Sequence, residues 1–492
     1  MIIPVFDNIL SVLLVIYSLI AFCIAIYIIY KHKDSVKTVS WLILLFMLPL
    51  VGLILYFFFG QNYRKKKLFG RKAMSDIKFI DNISNISSLQ AGLLKRNKLF
   101  DSKSELNNYK NTIALLLNNS KSILTEYNSV RLYYDGESMI AALKQALLDA
   151  KDSIHFQFYI IERGKVYDEI RNILIQKAKE GVAVRIIYDD FGSWALKKKD
   201  VKTFTKNGIE MFAFGKVRFH QLTNKSNFRN HRKIVVVDGK TGFVGGMNIA
   251  DRYVYGNEYF QWWRDTHMQI KGEAVKVLQL IFLVDWFFVS KQQIFIDHER
   301  YFPKSVIDEK CNIQIAASGP DSDWASIMQT YFYAISSAKK NIYITSPYFM
   351  PNESVLTAIK VAALSGVDVR IILPGKSDSK IVYWATLAYV QDLLEAGVKV
   401  YLYSKRAFNH AKTISIDGEF SSIGSVNMDT RSFEYNFEIT AIVYDKTIAL
   451  NLENQFKYDC SKSSQVTLRM WNRRSFGKNL SCSIARLFSP LL

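Results

Sequence analysis

Two short segments of the chain carry the same polar side chains at the same spacing. In the first, His231 and Lys233 precede Asp238, and Asn248 follows ten residues further on. The second segment holds their equivalents at an offset of 179 residues: His410, Lys412, Asp417 and Asn427. Imidazole can attack phosphorus or transfer protons, whereas ammonium and carboxamide groups can donate to phosphate oxygens. The repeated set therefore predicts chemistry on a phosphate diester, with the two asparagines as phosphate-binding residues.

The two motif aspartates have two possible roles. We expect a strand over 231–238 that ends in an Asp-Gly turn. Side chains alternate along a strand, so His231 and Lys233 share one face and Asp238 lies on the other. Asp238 and Asp417 are therefore candidates for catalysis, with fixation of the turn as the alternative. The catalytic candidates are His231, Lys233, Asp238, His410, Lys412 and Asp417.

The likeness between the two segments extends over a whole folding unit. Matching stretches upstream are 181–187 with 366–372, and 150–154 with 338–342. Helical patterns alternate with short β-branched runs in both copies, at Met139–Lys151, Val166–Glu180, Ile327–Lys339 and Ser354–Ser365. This alternation predicts two α/β units around a sheet. We place the first at 128–296, the second at 311–492, and a linker at 297–310.

The N-terminal region has the pattern of a membrane hairpin. Residues 9–30 and 39–60 are two uncharged runs of 22 residues, and about 20 apolar residues cross a bilayer as a helix. A signal peptide is the alternative, but it fits poorly because Asp7 and no basic residue precede the first run. We predict two transmembrane helices, followed by a polar and basic linker over 61–127.

Charge predicts the orientation of the hairpin and the class of partner. Lysines in the loop between the runs are Lys31, Lys33 and Lys37, whereas six basic residues follow the second run: Arg64, Lys65, Lys66, Lys67, Arg71 and Lys72. The positive-inside rule therefore predicts a multi-pass protein of the cell membrane with its remaining chain on the cytoplasmic face. The formal net charge of +20 indicates a polyanion or an anionic membrane as partner.

Composition excludes several classes of protein. Apolar residues make up 49% of the 492 residues, which is too many for a disordered chain. The four cysteines are far apart and form no CxxC pair, which excludes a zinc ribbon and disfavours a disulfide scaffold. The sequence also has no phosphate-binding P-loop and no clustered aspartate metal motif. We therefore expect neither a cofactor nor a metal.

The pattern HxKxxxxDxxxxxxGxxN, present twice, resembles the HKD signature of the phospholipase D superfamily. The N-terminal hairpin and three further stretches resemble the bacterial cardiolipin synthases within it: 346–351, 429–433 and 487–492. The first motif departs from the pattern at Gly246, where Ser425 stands in the second. The first half therefore lacks the hydroxyl that the second half has at this position.

The resemblance implies a fold in which two α/β sandwich domains pack about a pseudo-two-fold axis and form one site. It implies that one histidine becomes a covalent phosphatidyl-histidine and the other transfers protons, with His231 as the nucleophile and His410 as the acid and base. It also implies that an acidic residue downstream of each motif orients the histidine of that motif. The matching positions are Asp265 and Glu438.

The activity that we expect is phosphatidyl transfer between two phosphatidylglycerol molecules, which gives cardiolipin and glycerol. We expect phosphatidylglycerol and an anionic membrane as partners, and no nucleic acid. Three alternatives remain. They are a phospholipase D hydrolase or another phosphatidyltransferase, a nuclease of the same superfamily, and a basic scaffold without activity. The predicted hairpin disfavours the nuclease, and two complete motifs disfavour the scaffold.

Overall fold

The structure is a computed structural model that describes residues 18–30, 35–48, 51–53, 56, 78–101, 104–215, 228–294, 298–490 and 492. The chain divides into two compact units. One comprises Met1–Leu68 and Val217–Asn227, and the other comprises Phe69–Lys216 and Phe228–Leu492. Both motif repeats belong to the second unit.

The N-terminal unit is described in part. Residues 18–30 and Ser35–Met47 are helical. None of the helices in the described ranges is both long and apolar enough to cross a bilayer. Of the two predicted spans, residues 9–17, 49–50, 54–55 and 57–60 lie outside the described residues. The transmembrane hairpin therefore stays a prediction.

The second unit is built from alternating strands and helices. Its first seven strands are β1 (Leu124–Asp135), β2 (Ser153–Phe158), β3 (Ala183–Asp189), β4 (Glu210–Phe214), β5 (Ile234–Val237), β6 (Thr241–Gly245) and β7 (Trp262–Gly272). The later strands are β8 (Lys310–Ser318), β9 (Asn341–Thr345), β10 (Phe349–Met350), β11 (Asp368–Pro374), β12 (Lys399–Tyr403), β13 (Ala407–Asn409), β14 (Thr413–Ile416), β15 (Phe420–Gly424), β16 (Met428–Asp429), β17 (Glu438–Tyr444) and β18 (Ser463–Val466).

The helices of this unit flank the strands. Up to residue 301 they are α1 (Lys78–Lys95), α2 (Lys110–Asn119), α3 (Gly136–Asp149), α4 (Lys165–Lys179), α5 (Lys198–Lys206), α6 (Arg252–Tyr255), α7 (Ala274–Ser290) and α8 (His298–Tyr301). The later helices are α9 (Ser326–Ser336), α10 (Glu353–Leu364), α11 (Lys380–Leu387), α12 (Val390–Glu395), α13 (Thr430–Glu434), α14 (Lys446–Ser461), α15 (Leu468–Asn472) and α16 (Phe476–Leu487). The four helices predicted from the repeats are confirmed as α3, α4, α9 and α10.

One sheet runs through both halves in the order β18-β12-β11-β9-β14-β15-β17-β8-β1-β7-β6-β5-β2-β3-β4. At its centre β1 pairs with β8 in antiparallel fashion, with Leu124 opposite Gln314. In both directions outward from this pair, the equivalent strands of the two repeats follow one another in the same order. The inner pairs are antiparallel, and the parallel pairs β2–β3 and β3–β4 match β9–β11 and β11–β12. The predicted mixed α/β fold with two repeated units is confirmed.

Apolar side chains on alternate positions of the strands contribute to three large cores in the part of the chain that the structure describes. One core packs α3 and α4 against the first half of the sheet, with Leu143 and Ile154 completely buried. A second packs α9 and α10 against the other half. The third lies beneath α7, whose Val275, Leu278 and Phe282 are completely buried. The apolar α7 is therefore a core helix of this unit.

Residues 78–127, within the predicted linker, contribute structure to the second unit. Helix α2 buries Ile113, Leu116 and Leu117 in the second core, and α1 contributes Leu94. The recurrence of these apolar residues on one face of α2 accounts for this packing. Strand β1 begins at Leu124, so the predicted boundary at 128 falls inside a strand. A simple polar linker is therefore an incomplete description of this stretch.

Candidate active site

Each motif histidine is bound to the opposite half of the unit. The backbone N–H of His231 donates to the carbonyl oxygen of Phe437 at 2.9 Å, and that of His410 donates to Arg264 at 2.6 Å. Strand β13, which leads to His410, pairs in parallel with the start of β7 from the first half. Because of these exchanged contacts, β5 begins only at Ile234, and the predicted strand over 231–238 is shorter than expected.

The acidic partners of the histidines are exchanged in the same way. Nδ1 of His231 lies 3.0 Å from both carboxylate oxygens of Glu438. Nδ1 of His410 lies 2.7 Å from Oδ2 of Asp265. The expectation that each acid orients the histidine of its own motif is therefore corrected. The cause is the backbone exchange, since Glu438 follows Phe437 and Asp265 follows Arg264 in sequence.

Burial and charge determine the protonation of these four groups. All four are buried. Burial lowers the pKa of His231, and it lowers the pKa of His410 to about 4. Burial alone would raise the pKa of Asp265 and Glu438, but the neighbouring lysines and histidines outweigh it and lower both values. At neutral pH the site therefore holds two carboxylates and two neutral imidazoles.

The carboxylates also select the tautomer of each imidazole. A carboxylate accepts but cannot donate, so the proton of a neutral imidazole lies on Nδ1 and Nε2 keeps its lone pair. At His410 the Nζ of Lys412 is also near Nδ1, at 2.8 Å. Because Asp265 is ionised, we take the Nδ1–H of His410 to donate its hydrogen bond to that carboxylate. Lys412 then donates to the carbonyl oxygen of His410.

The two lysines lie directly behind the histidines. Lys233 is completely buried and donates to the carbonyl oxygen of His231 at 2.6 Å. Burial lowers the pKa of Lys233 to about 7 and that of Lys412 to about 8. Both histidines line the central cavity, whereas neither lysine is among its described lining residues. The ammonium groups thus provide positive charge at the rear of the site.

The residue beside each buried acid differs between the two halves. Gly246 lies beside Asp265, and Ser425 lies beside Glu438. In the second half, Ser425 donates its hydroxyl to Glu438. In the first half, a Cβ at Gly246 would overlap Oδ1 of Asp265. Aspartate is one methylene shorter than glutamate, so its carboxylate occupies the space that a serine side chain would need. The backbone N–H of Thr266 donates to Asp265 at 2.7 Å and replaces the missing hydroxyl contact.

The motif aspartates hold backbone turns. Asp238 accepts hydrogen bonds from the N–H groups of Lys151, Asp152 and Ser153, each at 2.8 Å. Asp417 accepts three equivalent bonds, from Lys339, Lys340 and Asn341. Neither carboxylate lines the central cavity as described. The geometry therefore supports the turn-fixing role and not direct chemistry.

The two asparagines differ. Asn248 is already engaged on both sides of its carboxamide: it accepts from the N–H of Ile160 at 3.1 Å and donates to the hydroxyl of Tyr253 at 2.7 Å. Asn248 also lines the cavity, so its role in phosphate binding stays a prediction beside that of holding Tyr253. Asn427 lines the cavity, and its Oδ1 is buried without a hydrogen-bond partner among the described residues. Its role in phosphate binding stays a prediction.

The cavity between the halves has a volume of about 1040 Å³ and contains both histidines. Aromatic rings from outside the two motifs surround His410, with ring centroids 5.7 Å away for Trp263 and 6.2 Å away for Tyr348. Tyr159 lies 5.0 Å from His231. Basic lining residues include Arg229, Arg252, Lys376, Lys380, Lys405 and Arg431. The cavity can therefore accept an anionic headgroup beside apolar groups.

Comparison with known families agrees with this arrangement. The family described as "Cardiolipin synthase, PLD-like domain" matches residues 143–286 and 331–460. The family described as "Phospholipase D-nuclease N-terminal" matches residues 19–61. Phosphatidylserine synthase from Haemophilus influenzae has a similar fold, with a TM-score of 0.59 and 12% identity over 78% of this chain and all of that chain.

Curated relatives match almost end to end. The major cardiolipin synthase ClsA of Bacillus subtilis is 40% identical, with 99% of this chain and 100% of the relative covered. The cardiolipin synthase of Alkalihalophilus pseudofirmus is also 40% identical, with 97% of this chain and 93% of the relative covered. The chain therefore belongs to the bacterial cardiolipin synthases of the phospholipase D superfamily.

Proposed function

We propose that this chain is a cardiolipin synthase that transfers the phosphatidyl group of one phosphatidylglycerol to a second one and releases glycerol. The observation that carries the proposal is the pair of carboxylate-bound imidazoles, His231 with Glu438 and His410 with Asp265, in one cavity. Each imidazole keeps a lone pair on Nε2, as a nucleophile or a base requires.

The first half-reaction forms a covalent intermediate. Nε2 of His231 attacks the phosphorus of phosphatidylglycerol, and the bond from phosphorus to the glycerol oxygen breaks. Protonated His410 gives its proton to that oxygen, so glycerol leaves as a neutral alcohol. The substrate phosphate brings a negative charge close to His410, which favours the imidazolium form needed for this step. Lys233 and Lys412 supply positive charge behind the reacting atoms.

The second half-reaction reverses these roles. The terminal hydroxyl of a second phosphatidylglycerol loses its proton to His410 and attacks the same phosphorus. The bond from nitrogen to phosphorus breaks, which releases cardiolipin and regenerates neutral His231. The two half-reactions break and form the same kinds of bond, so the transfer consumes no nucleotide. Tyr348 and Trp263 cover His410 and disfavour water as the acceptor.

We also propose that the N-terminal region forms the transmembrane hairpin and that the two halves of the site face the cytoplasm. The match of residues 19–61 to an N-terminal family domain supports the first point. The basic residues after the second run support the second. The bound phosphatidyl groups would then come from the inner leaflet of the cell membrane.

Product analysis tests the proposed function. Purified full-length protein is incubated with phosphatidylglycerol vesicles, and lipids and free glycerol are quantified. We expect one glycerol for each cardiolipin and little phosphatidic acid, and no product from the His231→Ala control. Phosphatidic acid without cardiolipin would identify the hydrolase instead. In a parallel incubation with added nucleic acid, cleavage of the nucleic acid together with unchanged lipid would identify the nuclease.

A further inference from the structure

The last helix of the chain has an apolar face that no other described element covers. Residues on this face follow helical spacing, and their exposed fractions are 81% for Phe476, 47% for Leu480, 50% for Ile484 and 78% for Leu487. The opposite face, with Cys482 and Ala485, is buried. Four large exposed apolar side chains in one stripe are unusual for a surface that contacts only water.

The charge around this stripe indicates the chemistry of its partner. Residues 460–492 contain six basic residues and no acidic residue. Arg469, Arg473 and Lys478 among them are exposed, next to the exposed Met470 of α15. An apolar stripe flanked by cations is the pattern of a helix that lies in the interface of an anionic bilayer.

The position of α16 connects this surface with the active site. The helix packs on α11, of which Lys380, Val382 and Tyr383 line the catalytic cavity. The C-terminal residue Leu492 also lines it. The side chain of Trp384, on the same helix α11, is 41% exposed. A bilayer against α16 would thus lie beside the wall of the cavity through which a lipid headgroup must enter.

We propose that α15 and α16 form an interfacial docking surface that lies on the anionic membrane and sets the cavity at the level of the lipid headgroups. The proposal rests on the proposed function, since it assigns how the lipid substrate of that site is reached. The commitment to a bilayer follows from the charge: of the six cations in residues 460–492, Arg486 pairs with Asp392 at 3.1 Å, and the other five complement phosphatidylglycerol headgroups.

The first test compares two substrates for the full-length protein. One is phosphatidylglycerol in vesicles, and the other is dihexanoyl-phosphatidylglycerol below its critical micelle concentration. The variant Leu480→Glu with Ile484→Glu should lose about tenfold in turnover on vesicles, with turnover of the soluble lipid within about twofold of the wild type. The matched control is Val361→Glu with Leu364→Glu on α10, whose exposed fractions are 53% and 70%. The conservative variant Leu480→Met with Ile484→Leu should retain both activities.

Equal loss on both substrates, or no loss on either, would overturn the proposal.

A second readout does not depend on activity. A fluorophore is attached through Ile484→Cys in a chain that also carries Cys23→Ser and Cys460→Ser, and the protein is reconstituted into vesicles with brominated phosphatidylglycerol. We expect quenching at this site and much less at a Leu364→Cys site. Unquenched fluorescence at position 484 would mean that a second copy, or another part of the chain, covers the stripe, and would refute a membrane contact. If the wild type used neither substrate, the proposed function would fail, while the quenching would still decide the docking surface.

Discussion

His231 and His410 occupy equivalent places in the repeat, yet the two half-reactions need different things from them. Loss of the nucleophile abolishes the intermediate, whereas loss of the acid mainly slows departure of glycerol, typically by about 10²–10⁴-fold. In a phosphatidyl ester of p-nitrophenol, the p-nitrophenolate group leaves without taking up a proton. This substrate should therefore partly restore the activity of His410→Ala but not that of His231→Ala. Reaction mixtures of His410→Ala that are quenched in alkaline denaturant, where the acid-labile bond from histidine to phosphorus survives, should contain a phosphatidyl-enzyme on the peptide with His231. A label on His410 would reverse the assignment.

The two buried lysines predict the dependence of catalysis on pH. Burial lowers the pKa of Lys233 to about 7 and of Lys412 to about 8, so their charge is present below these values and is lost as the pH rises through them. The free enzyme determines kcat/KM. Loss of the His410 proton should lower kcat/KM gradually above about pH 4, and we expect a steeper fall between about pH 7 and 9 as the lysine charges are lost. The decline of kcat should occur at higher pH, because bound phosphate favours the ammonium form.

This pH profile has a direct control. Circular dichroism of the same samples should show that the fold persists over the range in which kcat/KM falls. The burial of His231 lowers its pKa, so the nucleophile stays neutral towards acidic pH and activity should persist to pH values below 6.5. A kcat/KM that rises continuously above pH 8 would contradict the role assigned to the lysine charges.

The Gly246 position tests whether the acid and its neighbour act as a pair. Gly246→Ser would overlap the Asp265 carboxylate and displace it from His410, so we expect activity to fall about 10-fold or more. The double variant with Asp265→Glu recreates the arrangement of Ser425 and Glu438 and should recover much of the loss. Assays of both variants and of Asp265→Glu alone give a double-mutant cycle. Additive losses would contradict the pairing.

At the residue scale, the sequence predicted the two histidines and the two acids but not which acid serves which histidine. Spacing along the chain places Asp265 downstream of His231 and Glu438 downstream of His410. The partners are decided by the backbone bonds from His231 to Phe437 and from His410 to Arg264. Such contacts depend on how the two halves meet, which no linear pattern within one half contains.

At the scale of elements, each motif hairpin is held by one aspartate at its turn. Asp417 has a left-handed backbone conformation, with φ of 56°, and accepts three backbone N–H groups. Asp417→Ala would remove these three hydrogen bonds and place an alanine in a left-handed conformation, so it should lower the free energy of unfolding by about 2–3 kcal/mol. Asn tolerates this conformation and keeps one acceptor oxygen, so Asp417→Asn should lose less.

Melting in detergent micelles and activity per folded molecule separate the two roles of Asp417. We expect a lower melting temperature and, well below it, activity within about twofold of the wild type, because the carboxylate lies outside the described lining of the cavity. Loss of activity by several orders of magnitude at unchanged stability would place the aspartate in the chemistry.

Helices were predictable from the sequence where apolar residues recur at a single, helical spacing. Helices α3, α4, α9 and α10 have apolar residues at helical spacing, and the structure has them within three residues of the predicted ends. The start of β5 was predicted too early, because His231 and Lys233 alternate like strand residues, but the backbone N–H of His231 bonds to Phe437 of the opposite half. The contribution of α2 was missed because its flanks, rich in Asn, Ser and Lys, conceal one short apolar face.

At the scale of the whole molecule, the pair of β1 and β8 joins the two halves into one sheet. The edge of this junction is covered by α1 and α2 with completely or nearly completely buried Ile113, Leu116 and Leu117. Ser122 adds two hydrogen bonds to β8, one to Ile315 at 2.8 Å and one from Gln314 at 2.7 Å. The halves should therefore unfold together and not as separate domains.

Two truncations test this coupling and the membrane hairpin together. A chain that starts at Lys78 keeps the junction, so it should fold, melt in one transition, and leave membranes at high salt or alkaline pH because only surface contacts remain. A chain that starts at Asn128 loses five buried aliphatic side chains, which are Leu94, Ile113, Leu116, Leu117 and Leu124. At about 2 kcal/mol each, they are a large part of the stability of a typical domain. This shorter chain should aggregate or melt at a far lower temperature.

Equal stability of the two truncated chains would show that α1 and α2 are dispensable. Resistance of the 78–492 chain to alkaline extraction, equal to that of the full-length protein, would contradict the hairpin as the membrane anchor.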